Sequence, residues 1–190
     1  MIKVALVGNI ASGKSTVEKF LFNRGYSILD TDLVAHKLLD EYSDKIKDEF
    51  SSFDISDENG KISREKLGKL VFTDTNLKEK LENILHPLIR IQIEEFFKAQ
   101  EGEKFVFVAI PLLFEARMED LFDKKLFVYS DDNIRLERLM KRNKYTLEYA
   151  KIRIASQIPQ EDKINKCDWV VYNNSTIKDL EQQISSILAE

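Results

Sequence analysis

The chain opens with a segment that leaves few folds available to it. Residues 2–7, IKVALV, are apolar enough for a buried strand. They run straight into Gly8-Asn9-Ile10-Ala11-Ser12-Gly13-Lys14-Ser15, a full match to G-x-x-x-x-G-K-[ST]. Residues 15–22, STVEKFLF, then carry apolar side chains at helical spacing. A strand, a glycine-bearing turn and a helix in succession begin a strand-helix-strand unit, so the chain is expected to form a sheet with helices packed on it.

The residue types explain themselves physically. Glycine lets a backbone turn without Cβ obstruction, so that successive N–H groups and a helix N-terminus converge on one anion. Gly8 and Gly13 are the expected hinges, and the loop from Gly8 through Ala11, Ser12, Gly13, Lys14, Ser15 and Thr16 is the expected nucleotide-binding segment. Lys14 supplies a mobile positive charge for the β- and γ-phosphates, and Ser15 a hydroxyl for a hard Mg²⁺ ion. A nucleoside triphosphate site follows; the reaction it serves must be read elsewhere.

The 190 residues suit one domain with a sizeable core, elaborated by insertions. A formal net charge of −4 gives no support to a long-range grip on nucleic acid or an anionic membrane. The longest apolar run, residues 105–114, contains Pro111 and is far shorter than the roughly 20 residues that span a bilayer. Cys167 stands alone, which excludes an internal disulfide, and His36 and His86 make no zinc set. A cytoplasmic protein acting on a small molecule is expected, with no nucleic-acid or membrane partner.

Five segments read as strands buried on both faces: 2–7, 26–30, 105–110, 126–129 and 169–172. Helical patterns separate them, so the expected class is α/β, a doubly wound parallel sheet. Residues 31–104, between the second and third strands, far exceed one crossover helix and imply a largely helical insertion. Within it, helices are expected over 33–42, 64–72 and 77–86, with Asn76 and Glu79 spaced like a capping pair. FDISDENGKIS at 53–63 is a turn, and Pro87 is expected to start a further helix, LIRIQIEEFFKAQ.

Two matches to guanine-nucleotide switch motifs are misplaced: Asp57-Glu58-Asn59-Gly60 lies in a polar turn, and Asn165-Lys166-Cys167-Asp168 precedes a strand instead of following one. Asp30-Thr31-Asp32 ends the second strand, at the sheet edge where open α/β folds bind ligands. One carboxylate caps the next helix; Asp30 takes that structural part, and Asp32 is the candidate for orienting and deprotonating an acceptor hydroxyl. No Asp ends the third strand, which closes as IPLLFEAR at 110–117. Arg135, Arg138 and Arg142 share a face of the helix after the fourth strand, and Arg153 follows on a helix that Thr146 caps. Guanidinium groups beside a triphosphate suit a closing lid, with Arg142 the chosen residue.

Together these residues resemble the dephospho-coenzyme A kinase family. The resemblance runs nearly end to end: the phosphate loop, Asp30-x-Asp32, ISREKLGKLVF with Arg64 and Phe72, His86-Pro87, Pro111-Leu-Leu-Phe-Glu115, Arg138-Leu139 with Arg142, Ala155-Ser-Gln157 with Pro159 and Lys163, and Asp168 leading to Asn173-Asn174. It implies transfer of the ATP γ-phosphate to the ribose 3′-hydroxyl of dephospho-CoA, with Asp32 as general base, Lys14 and the loop holding ATP, and Arg142 reaching over the phosphates. Arg64, His86 and Arg90 would shape the acceptor site together with Asp32, and Asn174 would lie near adenine. The implied fold is a P-loop kinase with strand order 2-3-1-4-5. Segments 1–31, 104–134 and 165–190 would form the nucleotide-binding core, 32–103 the substrate-binding insertion and 135–164 the lid, in a monomer or weak homo-oligomer. The chain departs from the family at Asn9 and Ala11, where glycines are usual, at Arg135, where Gln is common, and at Cys167. A different nucleoside or nucleotide kinase, or a binding protein that has kept the fold without catalysis, are the competing readings.

Overall fold

The computed structural model describes residues 1–189. Five strands, β1 (Ile2–Val7), β2 (Ser27–Asp30), β3 (Phe105–Ala109), β4 (Lys124–Tyr129) and β5 (Trp169–Tyr172), form one sheet in the order β2-β3-β1-β4-β5. β1 pairs in parallel with β3 and β4, and β4 with β5. The expected fold and strand order are therefore observed. β3 is buried at every position, as a strand covered on both faces must be.

The chain divides into two compact units, residues 1–29 with 97–189, and residues 30–96. In the first, Val4, Leu6, Phe105, Phe107, Leu126 and Val128 of the sheet join Val17, Phe20 and Leu21 of α1 (Lys14–Asn23) in one apolar cluster. The 17, 20, 21 spacing puts these three side chains on one helical stripe. The remaining helices of this unit are α6 (Asp132–Asn143), α7 (Leu147–Ala155), α8 (Gln160–Ile164) and α9 (Ile177–Leu188). Leu180 and Ile184 of α9 join the same cluster, behind a capping box of Thr176 and Asp179. Thr146 caps α7, as expected, by accepting the Tyr149 N–H.

The second unit contains α2 (Thr31–Glu41), α3 (Ser43–Glu49), α4 (Arg64–Thr73) and most of α5 (Thr75–Ala99). Two expectations fail here. Pro87 does not begin a helix: α5 runs unbroken for 25 residues with Pro87 inside it. An interior proline loses one hydrogen bond and crowds the preceding turn, at about 3 kcal/mol. Against that, Leu85, Ile89, Ile93 and Phe97 form one buried stripe that persists only if the helix continues past the proline. Nor do Asn76 and Glu79 cap it, for the Asp74 carboxylate accepts from the Asn76 and Leu77 N–H groups instead. The DENG segment is the expected turn, with Asp57 accepting from the Asn59 and Lys61 N–H groups beneath a Ser56–Ile62 bridge.

Candidate active site

The loop between β1 and α1 is built as an anion cradle, although its strain falls on residues the motif alone does not single out. Gly13 is left-handed at φ 95° and stands at the N-cap of α1, where a Cβ would run into the Asn173 amide. Gly8 is not left-handed. It is required for closeness, since a Cβ there would meet the Ser12 hydroxyl and the Val128 carbonyl. The second left-handed residue of the loop is Ala11, at φ 62°. The expectation that Gly8 and Gly13 are the two hinges is thus corrected to Ala11 and Gly13.

Beneath the loop lies a set of buried polar side chains. Arg135 is 2% exposed; its Nε donates to the Ile10 carbonyl at 3.0 Å and its Nη1 to Asp132 Oδ1 at 2.7 Å. Its Nη2 has no partner in the protein. Burial draws the guanidinium below its ordinary pKa while Asp132 opposes the shift, and a group that basic remains charged. Arg138 donates from Nη1 to the Ser12 carbonyl at 3.3 Å and to Ser130 Oγ at 3.2 Å, and from Nη2 to the Asn173 carbonyl at 3.0 Å. Asn173 Nδ2 reaches the same Ser12 carbonyl at 2.8 Å. On the other side, Gln157 Oε1 accepts the Ile10 N–H at 2.7 Å and Asn9 Nδ2 donates to the Ile158 carbonyl at 2.9 Å.

Of the basic helical face expected to close over phosphates, Arg135 and Arg138 instead hold the loop from below. Helical spacing placed them correctly on one face and could not show that this face is buried. Arg142 is exposed near the end of α6, with its Nε on Asn143 Oδ1 at 2.8 Å. Lys14 leans along α1 to pair with Glu18 one turn on. Ser15 is exposed in the first turn of α1, and the Thr16 N–H closes that turn on the Gly13 carbonyl at 2.9 Å. Asn174 exchanges hydrogen bonds with Asp131, at 2.9 and 2.8 Å, whereas its neighbour Asn173 is the one that touches the loop.

The second unit carries the residues expected to meet the acceptor. Asp30 caps α2 by accepting the Asp32 N–H at 2.9 Å, the structural part expected of it. Asp32 is exposed in the first turn of α2. Arg64 starts α4 and pairs with Asp40 at 3.1 Å. On α5, Lys78, Glu82, His86 and Arg90 recur every four residues along one stripe. Burial lowers the His86 pKa, with Glu82 opposing and Lys78 adding to the shift, so the imidazole is neutral at pH 7.

Sequence reasoning assigned no role to the pairing of Glu115 with Lys163, whose ammonium is fully buried 2.8 Å from Oε1. Glu115 Oε2 is buried without a protein partner. Asp168, the end of the misplaced NKCD match, has a structural task, accepting the Lys125 N–H at 2.8 Å just before β5 begins.

The sheet order, the cradle and the helix behind it define a kinase of the phosphate-loop fold. The fold is similar to that of shikimate kinase from Bacteroides thetaiotaomicron, with a TM-score of 0.54 at 12% identity over 100% of this chain and 99% of that one. Closer similarities fix the family. The family model described as "CoaE: Dephospho-CoA kinase" matches residues 2–179. The dephospho-CoA kinase of Listeria innocua is 37% identical over 191 residues, covering 97% of this chain and 94% of the relative. A solved dephospho-CoA kinase from Campylobacter jejuni superposes with a TM-score of 0.76 at 35% identity, over 99% of this chain and 96% of that one. The chain belongs to the dephospho-CoA kinase family, transferases that phosphorylate dephospho-CoA in the last step of coenzyme A biosynthesis.

Proposed function

We propose that the chain transfers the γ-phosphate of ATP, bound with Mg²⁺, to the ribose 3′-hydroxyl of dephospho-CoA. The observation that carries this reading is the braced cradle at the start of α1, a preformed anion site on a chain of this family. The loop N–H groups from Gly8 to Thr16 hold the phosphates. Lys14 exchanges Glu18, one turn along its own helix, for phosphate oxygens.

The donor set fits Mg²⁺. The ion keeps most of its water and takes few protein ligands, and the Ser15 hydroxyl is an exposed oxygen at the helix start. Bound there, the ion would neutralise charge on the phosphates. Asp32 orients the 3′-hydroxyl and accepts its proton late in a loose phosphoryl transfer. Arg142, from a lid spanning residues 135–164, reaches the transferring group and excludes water. Arg64, His86 and Arg90, in the insertion at 32–103, hold the acceptor, and Asn174 lies by the adenine. The protein acts in the cytoplasm as a monomer or weak homo-oligomer, without nucleic acid.

The test is ADP release by the purified protein with Mg-ATP against dephospho-CoA, AMP, CMP, adenosine and no acceptor. ADP formation that depends on dephospho-CoA and yields the 3′-phosphorylated product is the expected result. Turnover on a nucleoside monophosphate alone would move the substrate, and ATP binding without turnover would make the chain a binding protein.

A further inference from the structure

The head of the phosphate loop is a turn closed by the Ser12 N–H on the Asn9 carbonyl at 3.0 Å, with Ile10 and Ala11 as its central residues. Ala11 is left-handed and Ile10 is not, which makes the turn one of the type II class. Its third residue needs positive φ and is ordinarily glycine; an alanine prefers the type I form. The two forms interconvert by rotating the peptide between the central residues about half a turn, changing ψ of the first and φ of the second together. Here that rotation would swing the Ile10 carbonyl to the opposite side and carry the Ala11 N–H, one of the cradle's donors, with it.

The Ile10 carbonyl is the group that Arg135 Nε holds at 3.0 Å, and the Ile10 N–H is held by Gln157 Oε1 at 2.7 Å. The residue with the unfavourable conformation therefore follows a residue whose backbone donor and acceptor are both bonded to side chains. Rotating the peptide would leave a second nitrogen of the buried Arg135 without an acceptor, beside the Nη2 that already has none. Strained backbone persists where its surroundings over-determine it: the Arg135 bond opposes this rotation directly, and the Gln157 bond fixes the Asn9–Ile10 peptide on which it would turn.

We propose that Arg135 and Gln157 are positioning residues, Arg135 locking the Ile10–Ala11 peptide and Gln157 the Asn9–Ile10 peptide before it in the orientation the phosphates require, supplying by hydrogen bonding what glycine at position 11 would supply by conformational freedom. This rests on the reading that the loop holds the phosphates of ATP. Because Gln157 follows α7, the lock also ties the loop to the segment that closes the proposed lid.

The test is a cycle of parent, Arg135→Met, Ala11→Gly and the double variant, with the Kd for Mg-ATP measured by calorimetry and Tm recorded for each. Arg135→Met should weaken Mg-ATP about tenfold in the parent background, and about threefold or less with Ala11→Gly. Its Tm loss should be the same in both backgrounds, because the Asp132 bond is lost in each. KM for ATP should rise in step with Kd while kcat moves less. Gln157→Met, at a half-buried position, repeats the cycle if Arg135→Met does not fold. An equal loss of affinity in both backgrounds, or no loss in either, overturns the proposal. A parent that does not bind Mg-ATP overturns the reading of the site, and the proposal with it.

Discussion

The backbone of the phosphate loop and the charges around it are organised in opposite ways. The backbone is held by buried and half-buried side chains that reach it from other parts of the chain: Arg135 on Ile10, Arg138 and Asn173 on Ser12, Gln157 on Ile10. The cations expected to meet phosphate bond to near neighbours in the chain and not to the loop, Lys14 to Glu18 on its own helix and Arg142 to the adjacent Asn143. A fixed set of N–H donors costs no reorganisation when an anion arrives, whereas a mobile ammonium or guanidinium can follow charge as it moves from ATP to the acceptor. The fold thus separates a rigid template from movable charge, and substitutions should separate the same way.

The largest effect should come from the movable side. Lys14→Ala is expected to lower kcat/KM by about 10²–10³ with only a modest loss of Tm, because it removes positive charge from the proposed phosphate site and leaves the half-buried Glu18 without its partner. Steady-state kinetics beside a melting curve decides it; a large Tm loss would mean that Lys14 belongs to the template. Arg138→Ala should do the reverse first, destabilising the protein by about 2–4 kcal/mol in a urea titration, since it deprives the Ser12 and Asn173 carbonyls and Ser130 Oγ of a donor. Arg142→Ala should leave that titration unchanged and reduce kcat/KM about tenfold or more, consistent with an exposed residue that acts only when the lid closes.

The smallest effect lies at the opposite edge of the sheet. Burial pushes the Asp168 carboxyl pKa up, but the Lys125 N–H and the charges of Lys125 and Lys124 outweigh it and hold the pKa below the ordinary value. A lowered folded pKa means that this stabilisation is present above the unfolded carboxyl range, near 3.9, and fades as pH falls through the folded value. Asp168→Asn should therefore shift stability by up to about 1 kcal/mol at pH 7 and flatten its decline below about pH 4, with loop affinity for Mg-ATP unaffected.

Much of this arrangement was legible in the sequence, for identifiable reasons. Strands apolar on both faces, the glycine motif between a strand and a helix, and the long stretch before residue 105 led to the doubly wound parallel sheet, because burial and backbone geometry are local consequences of residue type, whereas the strand order came only with the family resemblance. The helix through Pro87 was not legible, since the stripe from Leu85 to Phe97 gains its weight only from burial that local propensity does not report. The depth of Arg135 and Arg138 was hidden for a related reason: a charged stripe reads the same whether it faces water or buried carbonyls. The left-handed Ala11 had one available signal, a position where the resembled family carries glycine, and its meaning came only with the backbone conformation of the fold.

The most direct measurement is a pair of crystal structures, without ligand and with a non-hydrolysable ATP analogue and Mg²⁺. A rigid template predicts that the Cα atoms of residues 8–13 superpose within about 1 Å, with the Ile10–Ala11 peptide unrotated. It also predicts that Lys14 leaves Glu18 for the phosphates. A loop that refolds around the nucleotide while Lys14 stays on Glu18 would contradict it.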